Sequence, residues 1–164
     1  MIIPFKPEHL LAIRYQEDQR GGAQSRENAE ALVGGWRAYT AVLPGSTQPL
    51  ACAGIVELWP ARAMAWSALD FEAGKVMLEI TRRMRAELDV CPYTRVEMYV
   101  RPGFPEGWRW ARMLGFELES CMRRGAPDGG DLLVMTRFKS TKAYRDLKWN
   151  SRSLRFQSSK QPGL

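Results

Sequence analysis

The chain is poor in the residues that bind metals and build covalent scaffolds. Among 164 residues there is one histidine, His9, and three cysteines, Cys52, Cys91 and Cys121. The cysteines are odd in number, widely spaced and form no CxxC pair. This argues against a disulfide framework and against a zinc site, and leaves free, buried thiols in a reducing compartment as the expectation. No apolar run approaches the roughly 18–20 residues a membrane span needs. Met1 to Lys6 shows no basic segment leading into a long apolar one, so no secretory leader is expected. The chain length suits a single domain with a real core.

Acidic residues are scarce in one place. From Lys139 onward there are seven basic residues (Lys139, Lys142, Arg145, Lys148, Arg152, Arg155, Lys160) and one acid, Asp146. The whole net charge of +6 therefore belongs to that stretch, and residues 1–138 balance to zero. Residues 139–164 have few large apolar groups and no sustained period. They read as an extended basic arm separate from a 1–138 domain, needing a partner to order it. The arm interleaves cations with aromatics, and Arg145, Lys148, Trp149, Arg152, Arg155 and Phe156 are its candidate partner-binding residues. Such a mix can anchor on a protein surface, or bind nucleic acid through phosphates and stacking.

Within 1–138 the periodicity changes several times. Ile2–Phe5 reads as a short edge strand limited by Pro4. Pro7 opens a first helix over Leu10, Leu11 and Ile13. Gly21 to Ser25 is a loop, and Ser25 starts a second helix that ends at Gly34-Gly35. Residues 36–43, 50–59 and 63–69 read as a three-stranded antiparallel meander with turns at Pro44-Gly45-Ser46 and Pro60-Ala61-Arg62. Met77, Ile80, Met84 and Leu88 recur at helical spacing within 74–88, with Arg82, Arg83 and Arg85 off that stripe. Cys91-Pro92 ends this helix. Thr94–Val100 is a strand. Pro105 begins a helix carrying Trp108, Trp110, Ala111 and Leu114, which Gly115 stops. Phe116–Met122 and Leu132–Phe138 are the last strands. This order excludes a doubly wound sheet and predicts an α+β, mixed α/β domain. Trp59, Trp66, Trp108 and Trp110 fall inside elements and are expected mostly in the core.

The segment Trp108–Glu119, with its Leu114-Gly115-Phe116 turn, resembles the late helix and following strand of the GNAT (GCN5-related N-acetyltransferase) superfamily. The long helix 74–88 and the strand Val96–Val100 fall in that family's order. Overall size, element order and a Trp-rich strand before the long helix are also similar to GNAT-like internal virion proteins of short-tailed bacteriophages. The resemblance covers roughly residues 1–138. It implies a central, mostly antiparallel sheet flanked by helices, a site for acetyl-CoA, and a location in a virion or host cytoplasm.

The same resemblance shows what is missing. The family binds the cofactor pyrophosphate on an Arg/Gln-x-x-Gly-x-Gly/Ala loop at the start of the long helix, using bare backbone N–H groups and the helix dipole. Here that position reads Phe71-Glu72-Ala73-Gly74-Lys75-Val76. Gly74, Lys75 and Val76 are the candidate cofactor-binding residues. Phe71 replaces the Arg or Gln, Val76 replaces the small residue, and Asp70 and Glu72 add negative charge. Many members carry a Tyr general acid where this chain has Ala111, and an Asn where it has Phe104. Tyr99 is the candidate substitute acid. Glu57, with Asp70 and Glu97 behind it, is the candidate base. His9 is expected on the surface of a capped helix. The expectation is a GNAT-fold protein with a degenerate acetyl-CoA site, a structural or interaction component docking through its arm. An active acetyl-CoA-dependent N-acetyltransferase is the alternative.

Overall fold

The structure is a computed structural model that describes residues 1–16, 19, 25–33 and 35–139. The arm residues Arg145, Lys148, Trp149, Arg152, Arg155 and Phe156 lie outside the described residues, as do the loop 21–24 and Gly34.

The elements are β1 (Ile2–Pro4), α1 (Pro7–Ala12), α2 (Arg26–Ala31), β2 (Arg37–Ala41), β3 (Ala51–Trp59), β4 (Arg62–Leu69), α3 (Met77–Val90), β5 (Arg95–Val100), α4 (Pro105–Met113), β6 (Glu117–Met122) and β7 (Leu132–Phe138). The strands form one seven-stranded sheet in the order β1-β2-β3-β4-β5-β7-β6. Every neighbouring pair is antiparallel except β4 and β5. A parallel pair cannot be joined by a tight turn, and α3 is the crossover that joins this one. The mixed α+β class and the 36–69 meander read from the sequence are what the chain forms.

The sheet is covered on both faces because successive side chains alternate. Ala51, Ala53 and Ile55 of β3 point into one core with Ile80, Met84 and Leu88 of α3 and with Trp110 and Leu114. Cys52 points the other way, into a smaller core with Phe5, Leu10, Ile13 and Ala29. The stripe on α3 is buried as its spacing predicts, with Ile80 0%, Met84 2% and Leu88 4% exposed. Two tryptophan and cysteine expectations need correction. Trp59 is 53% exposed at the end of β3, its ring covered by the Arg62 guanidinium at 4.3 Å. Cys121 is exposed on β6, at the sheet edge, whereas Cys52 and Cys91 are buried.

Local signals explain the helix ends. Ser25 Oγ accepts from the Asn28 N–H at 3.2 Å and caps α2. Pro7 and Pro105 occupy first-turn positions where no N–H is needed. α4 stops at a Schellman motif: Phe116 N donates to Ala111 O at 3.0 Å and Gly115 N to Arg112 O at 3.0 Å. Gly115 has φ +87°, and an added Cβ would stand 3.1 Å from Arg137 Nε. Gly115→Ala is therefore expected to cost about 1–2 kcal/mol. Urea unfolding checks this through a lowered midpoint at unchanged slope. An unchanged midpoint would show that the turn does not hold this conformation.

Candidate functional site

β4 and β5 pair only over Arg62↔Arg95, Ala63↔Val96 and Met64↔Glu97. β4 runs on to Leu69 and β5 to Val100, so the two strands part and leave a cleft through the sheet. The cavity there has a volume of about 320 Å³, and Trp66, Met98, Tyr99, Phe104 and Trp110 line it. Each wall is fixed from behind. Trp110 Nε1 donates to Thr81 Oγ1 at 2.8 Å, which ties α4 to α3. Trp66 packs edge-on against Phe5 with ring centroids 5.1 Å apart. The cleft is thus mostly apolar, with Gln19, Ser67, Tyr99 and Arg101 among its polar lining residues.

Glu97 is the buried charge next to this cleft, at 0% exposure. Arg95, Glu97 and Tyr99 share one face of β5 because they alternate. Arg62 lies beside them across the parallel pairing. Arg62 Nε and Nη2 donate to the Glu97 carboxylate at 2.9 and 2.7 Å. Arg95 Nε donates at 3.1 Å and Tyr99 Oη at 2.7 Å. Burial pushes the Glu97 carboxyl up, but the hydrogen bonds from Arg62, Tyr99 and Arg95 outweigh it and hold it below its ordinary value. Burial, then the bond to Glu97, raises the Tyr99 phenol. Tyr99 does reach the cleft, as its strand position predicts. Its proton, however, is directed at Glu97, and Glu97 is an anion with its acceptors filled.

Glu57 is not brought to the cleft. It sits opposite Ala63 near the end of β3, where β4 and β5 are still paired, and accepts from Tyr93 Oη at 2.9 Å. The expectation of Glu57 as a base is corrected on this ground: strand register carries it to the closed end. That bond follows burial in raising the Tyr93 phenol to about 12. His9 accepts the Lys6 N–H at 3.2 Å through Nδ1, which also lies 2.9 Å from Thr40 Oγ1. Burial, then Lys6, lowers its pKa.

The β4–α3 connection holds the candidate cofactor residues. Asp70 is 0% exposed. It accepts from Arg14 N, Nε and Nη2 at 3.1, 2.9 and 3.0 Å, and from Glu72 N at 2.9 Å. Glu72 accepts from Arg14 Nη2 at 2.9 Å and from Lys75 Nζ. Burial pushes the Asp70 carboxyl up, and the bonds from Arg14 and Glu72 bring it below its ordinary value. Lys75, then Arg14, lowers Glu72. Lys75 is therefore committed to Glu72. A Cβ on Gly74 would meet no protein atom within 4 Å, so the packing of the chain itself does not require glycine there. The Val76 side chain is 3% exposed and part of the main core, so it does not project into the loop. Residues Ala73–Lys75 form a 3-10 turn, and α3 begins at Met77 rather than at Gly74.

Arg14, Arg62, Arg95 and Gln19 carry much of this geometry, and none was singled out from sequence. The alternation Arg95, Glu97, Tyr99 was the available signal for one of them. Arg83 pairs with Tyr39 and with Glu87 at 2.8 Å, while Arg82 and Arg85 are exposed. Among the described residues no cluster of His, Cys, Asp or Glu could hold a metal ion, and no helix is long and apolar enough to cross a membrane.

No protein-family model and no curated protein sequence matches the chain. Solved structures do resemble it. Ard1 from Thermoplasma volcanium matches with a TM-score of 0.67 at 17% identity, over 86% of this chain and 98% of that one. The ribosomal-protein-S18-alanine N-acetyltransferase from Escherichia coli matches at 0.63 and 20% identity, over 86% and 94%. A GNAT-family acetyltransferase from Bacillus anthracis matches at 0.58 and 13%, over 84% and 93%. The chain has the GNAT acetyltransferase fold.

Proposed function

We propose that this chain is a non-catalytic protein with the GNAT fold, serving as a structural or interaction component whose acetyl-CoA site is degenerate. The observation that carries this reading is the charge arrangement at the β4–α3 connection. A pyrophosphate seated there would meet the partly exposed Glu72 carboxylate, with the buried Asp70 carboxylate behind it, while the nearby cations Arg14 and Lys75 are already paired with them. The residues present do not fit that group. The tied pair Glu97–Tyr99 supports the same reading, since neither member of it is a free base or an uncommitted acid. Docking through 139–164, read from the basic and aromatic composition of that arm, belongs to this proposal, as does a place in a short-tailed phage virion or the host cytoplasm, which the sequence resemblance implies.

An active acetyl-CoA-dependent N-acetyltransferase is the second reading, and the open β4–β5 cleft favours it. Calorimetric titration with acetyl-CoA decides between them, followed by a thiol-release assay with a diamine acceptor. The expected result is no heat at millimolar cofactor and no thiol above the uncatalysed rate. Micromolar binding with sustained thiol release would overturn the proposal. Mass spectrometry of purified particles tests the virion setting.

A further inference from the structure

The open edge of β4 is already occupied, by a side chain of the same protein. β4 has no β5 partner beyond Met64, so the backbone groups of Ser67 and Leu69 on that side need other partners. Leu69 is only 4% exposed, and an unpaired amide there would be costly. Part of the need is met by the segment after α1. Gln16 N donates to Leu69 O at 3.2 Å and Phe71 N to Arg14 O at 3.1 Å. Tyr15 and Asp70 form an isolated antiparallel bridge between these bonds.

Gln19 takes up the Leu69 N–H and the Ser67 carbonyl. Its Oε1 accepts from Leu69 N at 2.7 Å, and its Nε2 donates to Ser67 O at 3.3 Å. One carboxamide thus accepts from residue 69 and donates to residue 67. A single residue of a parallel neighbouring strand makes the same pair of bonds. The side chain stands where β5 would continue if the strands had not parted. Gln19 also lines the cavity together with Trp66, Ser67 and Tyr99.

We propose that Gln19 is an autoinhibitory occupant of the cleft: its carboxamide holds the backbone positions on β4 that a secondary-amide ligand lying between β4 and β5 would use, and such a ligand enters by displacing it. Exchanging one amide for another gains little, so a ligand must draw its affinity from burying apolar atoms against Trp66, Met98 and Phe104. Removing the carboxamide lifts the competition. This inference does not depend on whether the chain transfers an acyl group.

The test uses the full chain, ¹⁵N-labelled, as wild type, Gln19→Ala and Gln19→Glu. Without ligand, exchange of the Leu69 amide should speed by about tenfold in Gln19→Ala. The Asp70 amide, bonded to Leu50 O at 2.9 Å, should be unchanged and reports that β4 still pairs with its neighbour. Gln19→Glu keeps the acceptor and should keep Leu69 protected. Two probes then supply secondary amides from different sources: pantetheine, and N-acetylalanine N′-methylamide as a peptide main chain. At least one should shift the Ser67 and Leu69 resonances of Gln19→Ala at a concentration about tenfold below that needed for wild type. Which probe responds identifies the source. Unchanged Leu69 exchange in Gln19→Ala, or equal response of wild type and variant to both probes, overturns the proposal. Because no phosphate is involved, this result is separate from the acetyl-CoA titration.

Discussion

Glu97→Ala should lower the unfolding free energy by about 3 kcal/mol. Removing one partner from a buried ionic network leaves the others without the charge they were arranged around. Here those others are Arg62, Arg95 and the Tyr99 hydroxyl. The Arg62 and Arg95 side chains are 31% and 24% exposed, so water recovers part of the loss, which places the estimate at the low end for such networks. Tyr99→Phe removes one bond and should cost about 1 kcal/mol. The effect of Glu97→Ala must also depend on pH. The folded-state pKa of Glu97 is lowered, so its contribution is fully present above the ordinary carboxylate value of about 4.3 and is lost as pH falls through the lower folded value. Urea melts of the three proteins at pH 7 and near pH 3 check this. Wild-type stability in Glu97→Ala at pH 7 would mean that the network is not formed, and with it the claim that Tyr99 is committed.

The stop of α4 was more legible than the start of α3, for a local reason. Leu114-Gly115-Phe116 contains everything its turn needs: a residue free to take positive φ, and a large apolar group to bury, Phe116 at 2% exposure. The start of α3 has no such self-contained signal. No side chain caps it, and the 3-10 turn Ala73–Lys75 is held by the cluster around Asp70. Val76 shows the consequence. As a residue in a loop motif it reads as an obstruction, while in the fold it is core.

The candidate site divides along the same line. Placing Tyr99 on the cleft strand needed only the alternation within β5. Finding what its hydroxyl meets required the neighbour two residues away and the register with Arg62, 35 residues off in sequence. Glu57 failed because strand position alone does not say which end of the sheet opens. The parallel pairing at Met64↔Glu97 decides that. The bonds from Arg14 to Asp70, spanning 56 residues, left no trace in any local pattern. Charges whose partners lie in distant elements look alike on the page, as surface residues do.

Asp70→Asn tests that distant pairing directly. The variant keeps the side chain's shape and one acceptor oxygen, and loses the charge that four donors share. Hydrogen bonds to a charged group contribute about 1.5–3 kcal/mol, so a loss of about 2 kcal/mol at pH 7 is expected. The sign follows from the lowered pKa of Asp70. Its stabilisation is whole above the ordinary value of about 3.9 and is lost as pH falls through the lower folded value. Asparagine does not titrate. The gap between wild type and Asp70→Asn should therefore be widest near neutrality and narrow in acid, where the wild-type carboxyl is itself neutral. Urea midpoints of both proteins from pH 7 down to about pH 2.5 measure the gap. A gap that stays constant with pH would mean that Asp70 stabilises through shape alone. The two carboxylates at the β4–α3 connection would then no longer count as charges set against an anionic cofactor.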